Sequence, residues 1–482
     1  MKYERAVLTQ GFCRRAYHVR MTSAPSTFDL RSPSSGKVIA QLPDHGAAEA
    51  AAAADRAVTA FATWRRTTAY ARAALLRNFF DLMRRDEQEI AGLIAREMGK
   101  PVTEALGEVR YAASFVEWYA EEAKRVFGDI VPSQVPGKRL LVTQEPVGPV
   151  YAVTPWNFPA AMATRKIAPA LAAGCTVILK PAEQSPLTAL KLRDLWTEAG
   201  GPPDTFQVVT ASDPIAITRV MMDDVRIRKV TFTGSTEVGR LLAAQAAPTL
   251  KRVSLELGGH APYLIFADAD LDQAVADVVA CKFRNAGQTC VCTNRIYVQR
   301  PVLDAFTARL TAAVAALRVG DPLREDTQIG PLVDGQGLEK VRRHVEDAVA
   351  HGAAVAIGGQ AEGGLYFQPT VLTGVTPDML VMREETFGPV APLLAFDTEE
   401  EAIQAANDTE FGLAAYLWTT DLNRAFRVSE QLEYGIVGLN DPVPSTAQAP
   451  FGGVKQSGYG REGGPWGIQE YLNTKYLSMT VR

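Results

Sequence analysis

The chain of 482 residues is longer than one ordinary domain, and its hydrophobic share of 47% can fill sizeable cores. Its 50 basic and 54 acidic side chains nearly balance and form no basic block, which argues against nucleic acid or a membrane surface as the main partner. Five cysteines without paired CxxC spacing fit a reducing compartment and exclude a zinc knuckle or a disulfide framework, so no metal site is predicted.

The first twenty residues contain Arg14, Arg15 and Arg20 but no apolar core, which is not the pattern of a secretory signal. No run of about 18 apolar residues is present, so the sequence predicts no membrane span. The default expectation is a cytoplasmic protein. A weak organelle-targeting peptide and a true start at Met21 remain alternatives.

The N-terminal part predicts a strand and turn from Phe28 to Gly36, followed by helices. From Ala47 to about Phe127, apolar residues recur at three- and four-residue spacing, with one helix break expected at Pro101. Residues Arg139 to Gln144 alternate like a strand and predict a projecting arm. Residues Tyr471 to Val481 predict an edge strand.

Strands and helices alternate from Val150 onward, which predicts βαβ units and a parallel sheet. The predicted strands are Val150–Val153, Val177–Leu179, Phe206–Val209 and Val230–Phe232. The predicted helices are Ala161–Ala173, Leu187–Ala199 and Thr236–Ala247. A second alternating region runs from about Lys251 to Val443, and the Pro- and Gly-rich stretch from Asp441 to Gly464 predicts loops. The predicted fold class is therefore α/β.

Two loops that follow predicted strands are candidates for binding a dinucleotide. The segment from Thr233 to Gly239 opens a helix, where free N–H groups can face an anion, although an ordinary helix cap is the alternative. Lys180 and Glu183 follow another strand and can hold the hydroxyls of an adenosine ribose, or form only a solvated ion pair. The GxGxxG match at Gly458 to Gly463 follows no predicted strand, and we attribute it to chance.

Three side chains have the chemistry of a covalent catalyst. Cys290 follows Gly-Gln-Thr at a turn after the helix predicted from Asp272 to Phe283, where N–H groups or a cation can lower the thiol pKa. Glu256 lies in an apolar strand before paired glycines, where desolvation raises its pKa toward that of a useful general base. Asn157 lies between prolines and carries an amide donor for an oxyanion. Taken singly, each is more often a buried or capping residue.

Seven motifs, in order along the chain, resemble those of the aldehyde dehydrogenase superfamily. They are WNFP at 156–159, KPAE at 180–183, FTGS at 232–235, ELGG at 256–259, GQTC at 287–290, EETFGPV at 384–390 and PFGGVKQSG at 450–458. The resemblance extends from about Phe28 to the C-terminus. It implies NAD(P)-dependent oxidation of an aldehyde to a carboxylic acid, with Cys290 as nucleophile and Glu256 as general base. Asn157 and the Cys290 N–H would form the oxyanion hole.

The resemblance also implies a set of cofactor-binding residues, namely Thr154, Trp156, Lys180, Glu183, Gly234, Ser235, Glu385 and Phe387. NAD is expected to be preferred over NADP, because the Glu183 carboxylate accepts hydrogen bonds from ribose hydroxyls but repels a 2′-phosphate. The implied architecture is a Rossmann-like NAD-binding domain of residues 1–121 and 147–250 and an α/β catalytic domain of residues 251–450. A small β element of residues 122–146 and 451–482 would pair subunits into a homodimer or homotetramer.

Within the superfamily the chain is most similar to the succinate-semialdehyde dehydrogenases, over residues 115–130, 158–166 and 282–292. Independently of that resemblance, Arg165 and Arg284 lie in otherwise apolar segments near the candidate catalyst. Two guanidinium groups suit a small aldehyde whose far end is a carboxylate. Ser445 matches the family's third carboxylate contact. The proline-rich stretch from Asn440 to Thr446 departs from the family pattern, so a sulfonate- or hydroxyl-bearing semialdehyde remains an alternative, as does a surface location for either arginine.

Cys292 follows the candidate nucleophile by two residues, a spacing that a strained and easily reduced disulfide can span. The resemblance suggests that Cys290 and Cys292 form a redox switch, and simple packing of Cys292 behind the loop is the alternative.

Three other functions remain open on the sequence alone. A non-catalytic binding protein of the same fold would not need the intact set of Cys290, Glu256 and Asn157. A Cys–His hydrolase is disfavoured because the chain has five histidines, of which His260 follows the paired glycines. A CoA-acylating relative would resemble this chain without an acid at the Glu256 position.

Overall fold

The structure is a computed structural model that describes residues 26–481. The predictions about targeting and the start of the chain concern the first twenty residues and lie outside the described residues. The helices, in chain order, are α1 Ala47–Trp64, α2 Ala69–Arg85, α3 Glu87–Met98, α4 Val102–Glu122, α5 Pro159–Ala173, α6 Pro186–Glu198, α7 Pro214–Asp223, α8 Thr236–Ala246, α9 Leu271–Lys282, α10 Leu303–Ala315, α11 Gly335–Ala350, α12 Leu380–Arg383, α13 Glu399–Asn407, α14 Leu422–Gln431 and α15 Gly464–Gln469.

The strands form two large sheets and three small ones. In chain order they are β1 Thr27–Arg31, β2 Val38–Pro43, β3 Asp129–Val131, β4 Lys138–Pro146, β5 Val150–Val153, β6 Val177–Lys180, β7 Phe206–Val208, β8 Lys229–Thr233, β9 Arg252–Glu256, β10 Ala261–Ile265, β11 Thr293–Gln299, β12 Ala354–Ile357, β13 Ala361–Gly363, β14 Tyr366–Phe367, β15 Thr370–Thr373, β16 Val390–Phe396, β17 Ala414–Trp418, β18 Ile436–Leu439, β19 Gly458–Tyr459 and β20 Leu472–Thr480.

The predicted N-terminal helical region consists of four helices, α1 to α4, separated by three breaks rather than one. Thr68 caps the start of α2 with its side chain, and Asp86 separates α2 from α3. Helix α3 ends at Gly99, which has a left-handed φ of 82°. The expected break at Pro101 is confirmed, because α4 begins at the next residue. The two unpredicted breaks show that capping residues divided a region whose apolar spacing is continuous.

The first large sheet has the strand order β19-β9-β8-β5-β6-β7, in which every pair except β19 with β9 is parallel. The four predicted strands correspond to β5 to β8, and the predicted helices to α5, α6 and α8. Helix α7 was missed, although Asp213 caps it and Ile217 and Met221 have helical spacing. The chain runs from β5 outward to β7 and returns to β8 on the other side of β5. This connection creates a switch point at the carboxyl ends of β5 and β8, where open α/β sheets bind ligands.

The second large sheet has the order β12-β15-β16-β11-β10-β17-β18, and only β12 is antiparallel to its neighbour. Its central strands are buried on both faces, as expected for a parallel sheet covered by helices. The segments that enter β10, β11 and β16 hold Gly259, Cys290 and Glu385, so this sheet presents its amino edge to the site. The predicted α/β fold class is confirmed.

The arm is a three-stranded antiparallel sheet of order β20-β4-β3. Strand β20 pairs with β4 from Leu472 opposite Pro146 to Thr480 opposite Lys138. The two strands predicted at residues 139–144 and 471–481 are therefore present and pair with each other. Ile130 on β3 is 80% exposed.

The predicted domain boundary at residue 250 falls before β9 and β19, two strands that belong to the first sheet. Strand β9, which carries Glu256, pairs along its length with β8. Glu256 thus lies at the end of the first sheet, and the division into domains stays a prediction. Within residues 26–481, no helix has the length and apolar character needed to cross a membrane.

Candidate active site

The thiol of Cys290 lies between two cavities and lines both of them. The chain reaches it through a sharp turn in which Asn285, Ala286 and Gly287 all have positive φ. The Cys290 N–H has no hydrogen-bond acceptor among the described residues, which leaves it available to an oxyanion. Burial raises the pKa of Cys290 to about 12, and this effect outweighs the lowering by Arg165. The expectation of a lowered thiol pKa is therefore wrong for this structure, because desolvation dominates.

Asn157 is buried at the carboxyl side of β5, in the wall of the larger cavity beside Cys290. Its Nδ2 donates one hydrogen bond to the Gln288 carbonyl at 3.0 Å. Its main-chain carbonyl accepts from Lys100 Nζ at 2.7 Å and from Asn285 Nδ2 at 3.2 Å. Because a primary amide carries two N–H groups, one donor remains for an oxyanion after the bond to Gln288.

Glu256 ends β9 and is 2% exposed, and both of its carboxyl oxygens lack a hydrogen-bond donor among residues 26–481. Burial raises its pKa well above the usual range, and the neighbouring Glu462 raises it further. Arg165 and Lys166 act in the opposite direction. A desolvated carboxyl group with unused lone pairs can accept a proton, so the position predicted for a general base has the expected electrostatics.

Glu462 is the centre of a buried ion cluster behind Glu256. Lys166 Nζ contacts its carboxylate and also donates to Thr233 Oγ1 at 2.6 Å. Arg165 Nε lies 2.7 Å from Glu462 Oε2, an ion pair whose angle falls outside that of a good hydrogen bond. Although burial acts in the opposite direction, Lys166 and Arg165 hold the pKa of Glu462 below its usual range.

The larger cavity, of about 410 Å³, opens at the switch point of the first sheet. Its walls include five of the predicted cofactor-binding residues, Trp156, Gly234, Ser235, Glu385 and Phe387. A Cβ atom at Gly234 would lie 2.4 Å from the Phe232 ring, so only glycine fits there. Ser235 caps α8, and the first N–H groups of this helix can face a pyrophosphate.

Two of these residues come from the segment that enters β16. Glu385 accepts a hydrogen bond from the Gly259 N–H at 3.2 Å. Phe387 has a φ of 56° and packs edge-to-face on Trp156, with ring centroids 5.5 Å apart. The aromatic pair and the carboxylate beside Cys290 fit a nicotinamide riboside, and these residues together would hold NAD(P).

The other three predicted cofactor residues lie next to this cavity but do not line it. The Thr154 N–H donates to the Lys180 carbonyl at 3.2 Å, which places both at the carboxyl ends of adjacent strands. Lys180 Nζ pairs with Glu183 at 2.9 Å, and the Glu183 side chain is partly exposed. The pair therefore forms, and its position at the strand ends is compatible with an adenosine ribose.

The smaller cavity, of about 330 Å³, contains all three predicted substrate residues, Arg165, Arg284 and Ser445, together with Cys290. The proline-rich stretch contributes Val443 as well as Ser445. Its wall also contains charged or polar residues that the sequence did not single out, Lys100, Glu104, Glu108 and Tyr111. These four come from the end of α3 to the middle of α4, and no local pattern indicates that they face a site.

The two arginines of this cavity differ in their partners. Arg165 is 1% exposed, pairs with Glu462 and stacks over the Phe451 ring at 3.7 Å. Arg284 is half-buried and forms no ion pair within 4 Å among the described residues, and its Nε has no hydrogen-bond acceptor there. The cavity thus holds one compensated and one uncompensated guanidinium group.

Cys292 is buried and lines neither cavity. Its Sγ donates to the Gly287 carbonyl at 3.3 Å and lies 3.8 Å from Lys282 Nζ. Both Cys290 and Cys292 are free thiols. His260 also lines neither cavity, and no other histidine of the described part of the chain does so.

Comparison with known proteins gives a consistent assignment. A model of the aldehyde dehydrogenase family matches residues 19–477. A glutarate-semialdehyde dehydrogenase from Pseudomonas putida is 51% identical over 455 residues, which cover 94% of this chain and 95% of that protein. An NADP(+) succinate-semialdehyde dehydrogenase from Escherichia coli is 52% identical over 451 residues, 93% of each chain. The crystal structure of a succinate-semialdehyde dehydrogenase from Burkholderia pseudomallei has a TM-score of 0.93 and 52% identity over 95% of each chain.

Proposed function

The chain belongs to the aldehyde dehydrogenase family, and we propose that it oxidises succinic semialdehyde to succinate with NAD through a thioester on Cys290. The choice of substrate rests on Arg284, whose guanidinium group forms no ion pair among the described residues. It lies in the cavity that also contains the thiol. A half-buried guanidinium group without an ion-pair partner is a favourable contact for an anionic ligand.

In the first half of the reaction, the Cys290 thiolate adds to the aldehyde carbon and forms a carbon–sulfur bond. The carbonyl oxygen becomes an alkoxide, which accepts hydrogen bonds from Asn157 Nδ2 and the Cys290 N–H. When bound, the nicotinamide supplies the acceptor for the hydride that leaves this carbon. Collapse of the alkoxide then leaves an acyl thioester on Cys290.

In the second half, Glu256 removes a proton from a water molecule, which attacks the thioester carbon. The carbon–sulfur bond breaks, the carboxylate product forms and Cys290 leaves as a thiolate. The lone pairs of Glu256 have no donor among the described residues, so they are available for this water. Because the same carboxyl group has a raised pKa, it is a stronger base once it is ionised.

An anionic aldehyde gains most from this site. A hydrogen bond to a charged group contributes about 1.5–3 kcal/mol, or roughly 10- to 150-fold in affinity. Arg284 can supply this contact at little cost, because no acid has to be displaced from it. Arg165 already pairs with Glu462, so we assign it a smaller share of substrate binding and a larger share of the site's electrostatics.

The alternative substrate is glutaric semialdehyde or another small anionic aldehyde. Relatives named for glutarate and succinate semialdehyde are 51% and 52% identical to the chain, so similarity alone does not choose between them. The proline-rich wall at Val443 and Ser445 is where this chain would set the length and head group of its substrate.

We assign NAD as the preferred cofactor because of Glu183. Its carboxylate would accept hydrogen bonds from the hydroxyls of the adenosine ribose and would repel a 2′-phosphate. The relative from Escherichia coli is named for NADP(+), so the preference has to be measured for this chain. A Glu183→Ser variant should gain activity with NADP, and no gain would count against the assignment.

We also propose that the arm pairs subunits into a homodimer or homotetramer. The exposed apolar side chains of its three strands include Ile130, Tyr476, Leu477 and Met479. Ile130 lies opposite Leu141, which lies opposite Leu477, so Ile130, Leu477 and Met479 share one face of the arm. An exposed apolar face of this kind is typical of an interface.

The test of the proposed function is the oxidation of matched aldehydes under reducing conditions. Succinic and glutaric semialdehyde, a sulfonate-bearing aldehyde, butanal and pentanal are each assayed with NAD and with NADP. We expect kcat/KM for succinic semialdehyde to exceed that for butanal by about tenfold or more. Equal values for the charged and neutral aldehydes would refute an anionic substrate, and no turnover of any aldehyde would favour the non-catalytic alternative.

A further inference from the structure

The turn that connects Arg284 to Cys290 is strained. Asn285, Ala286 and Gly287 have φ values of 52°, 54° and 75°, three consecutive residues in the left-handed region. L-residues other than glycine adopt this conformation at a cost in free energy, and they persist in it only where neighbouring groups fix them. The contacts around this turn therefore decide its shape.

Most of these contacts are made by main-chain groups and amides. The side chain of Asn285 donates to the Asn157 carbonyl and to the Gln288 carbonyl, each at 3.2 Å. A Cβ atom on Gly287 would lie 2.2 Å from the Gly388 carbonyl oxygen, so the turn packs directly on the loop before β16.

One contact to the turn is made by a carboxylate rather than by a main-chain group or an amide. The Asn285 N–H donates to Glu104 Oε2 at 2.7 Å. Among the described residues, Glu104 is the only carboxylate bonded to residues 284–290, and it lines the substrate cavity. It reaches the turn from α4, an element that is distant in sequence.

Helix α4 is itself firmly attached at this point. Glu108, one turn beyond Glu104, pairs with Lys100 and accepts the Ala160 N–H at 2.9 Å. Lys100 in turn donates to the Asn157 carbonyl. Glu104 therefore connects the strained turn to the helix that also fixes the segment carrying the oxyanion donor.

We propose that Glu104 is a positioning residue that fixes the spacing between Arg284 and Cys290, and thereby selects the chain length of the substrate. This inference rests on the proposed function. The carboxylate of the substrate has to reach Arg284 while its aldehyde carbon reaches Cys290, and both groups lie on this one turn. A change in the shape of the turn alters the distance that the substrate has to span.

The test compares Glu104→Ala with Glu104→Gln and Glu104→Asp. Each is assayed with succinic and glutaric semialdehyde, which contain four and five carbons, and with the neutral aldehydes of the same lengths, butanal and pentanal. Glu117→Ala is the matched control, because Glu117 lies on the same helix, has a partly exposed side chain and, among residues 26–481, pairs only with Arg77 at 2.8 Å.

In Glu104→Ala we expect the ratio of kcat/KM for the two anionic aldehydes to change by about tenfold, because the buried Asn285 N–H loses its acceptor. The ratio for the two neutral aldehydes should stay within about twofold, since neither uses Arg284. Glu104→Gln should restore the wild-type ratio through its amide oxygen. Glu104→Asp should shift the ratio in the same direction as Glu104→Ala. It replaces Glu104→Ala in the test if that variant does not fold.

Equal losses for all four aldehydes would mean that Glu104 is merely structural, and an unchanged anionic ratio in both Glu104→Ala and Glu104→Asp would overturn the inference. If the wild-type protein shows no preference for anionic over neutral aldehydes, the proposed function fails instead. The two failures are thus distinguishable.

Discussion

At the scale of single residues, the catalytic pair is defined by desolvation. Cys290 and Glu256 both act only after losing a proton, and burial raises the pKa of each. At low pH both stay protonated, so turnover of a neutral aldehyde should increase steadily from about pH 6 to about pH 9. A pH profile of kcat/KM measures this, and a flat or falling profile over that range would contradict it.

The two arginines should give different signatures. Arg284→Met should lower kcat/KM for succinic semialdehyde by roughly 10- to 150-fold and leave butanal nearly unaffected. Arg165→Met should impair both aldehydes and shift the pH profile to higher pH, because Arg165 lowers the pKa of Cys290 and Glu256. Steady-state kinetics with both aldehydes across the pH range separates these effects. Identical losses in the two variants would show that the arginines are equivalent.

At the scale of elements, the sequence predicted what each strand end carries but not which ends meet. Asn157 and Glu256 follow strands of the first sheet, which agrees with the rule that ligands bind at carboxyl ends. Cys290 and Glu385 precede strands of the second sheet, which no general rule predicts. Their motifs resembled those of a known family, and the family assignment supplied what the strand pattern could not.

Residues that act through packing were harder to predict. Lys100 lies between α3 and α4, and Glu104 lies in the first turn of α4. Both are more than 150 residues before Cys290 in the sequence. A charged residue near a helix start has the pattern of a solvated face, and only the tertiary structure places these two in a cavity wall. The same limit explains the missed pairing of Arg165 with Glu462, since charge partners across the fold leave no local signal.

The turn that carries the thiols gives a prediction at this scale. Cys292 Sγ is buried against the Gly287 carbonyl, so a link to Cys290 requires the turn to open. If Cys290 and Cys292 form a redox switch, peroxide should inactivate the wild-type protein and dithiothreitol should restore its activity. In Cys292→Ala, peroxide should drive Cys290 to irreversible acids. Mass spectrometry identifies the products, and full reversal in Cys292→Ala would show that Cys292 is not the resolving thiol.

At the scale of the whole molecule, the carboxyl edge of the first sheet faces the amino edge of the second, and strand β4 of the arm leads directly into β5 of the first sheet. The sequence predicted the two α/β regions and the two long arm strands. The domain boundary at residue 250 stays a prediction, and it lies before β9, which pairs with β8 of the first sheet. Strand pairing depends on partners that are distant in sequence, which is why the sequence pattern alone did not predict that β9 pairs with β8.

The arm makes a prediction about assembly. Replacing Ile130 and Leu477 by Lys should lower the oligomeric state, because two charges would be buried at the proposed interface. Sedimentation velocity measures the change. Tyr70→Lys is the control, since Tyr70 is 75% exposed on α2, outside the arm. An unchanged oligomer in the double variant would place the interface elsewhere.

The most direct test of the account is to trap the acyl enzyme. Glu256→Gln is mixed with NAD and equal amounts of succinic semialdehyde and butanal, quenched in acid and mapped by mass spectrometry. We expect a succinyl group on Cys290 in about tenfold excess over a butanoyl group, and no acylation when Cys290→Ala is added to the variant. Equal labelling by the two aldehydes would contradict the anionic substrate, and the absence of any label on Cys290 would contradict the thioester.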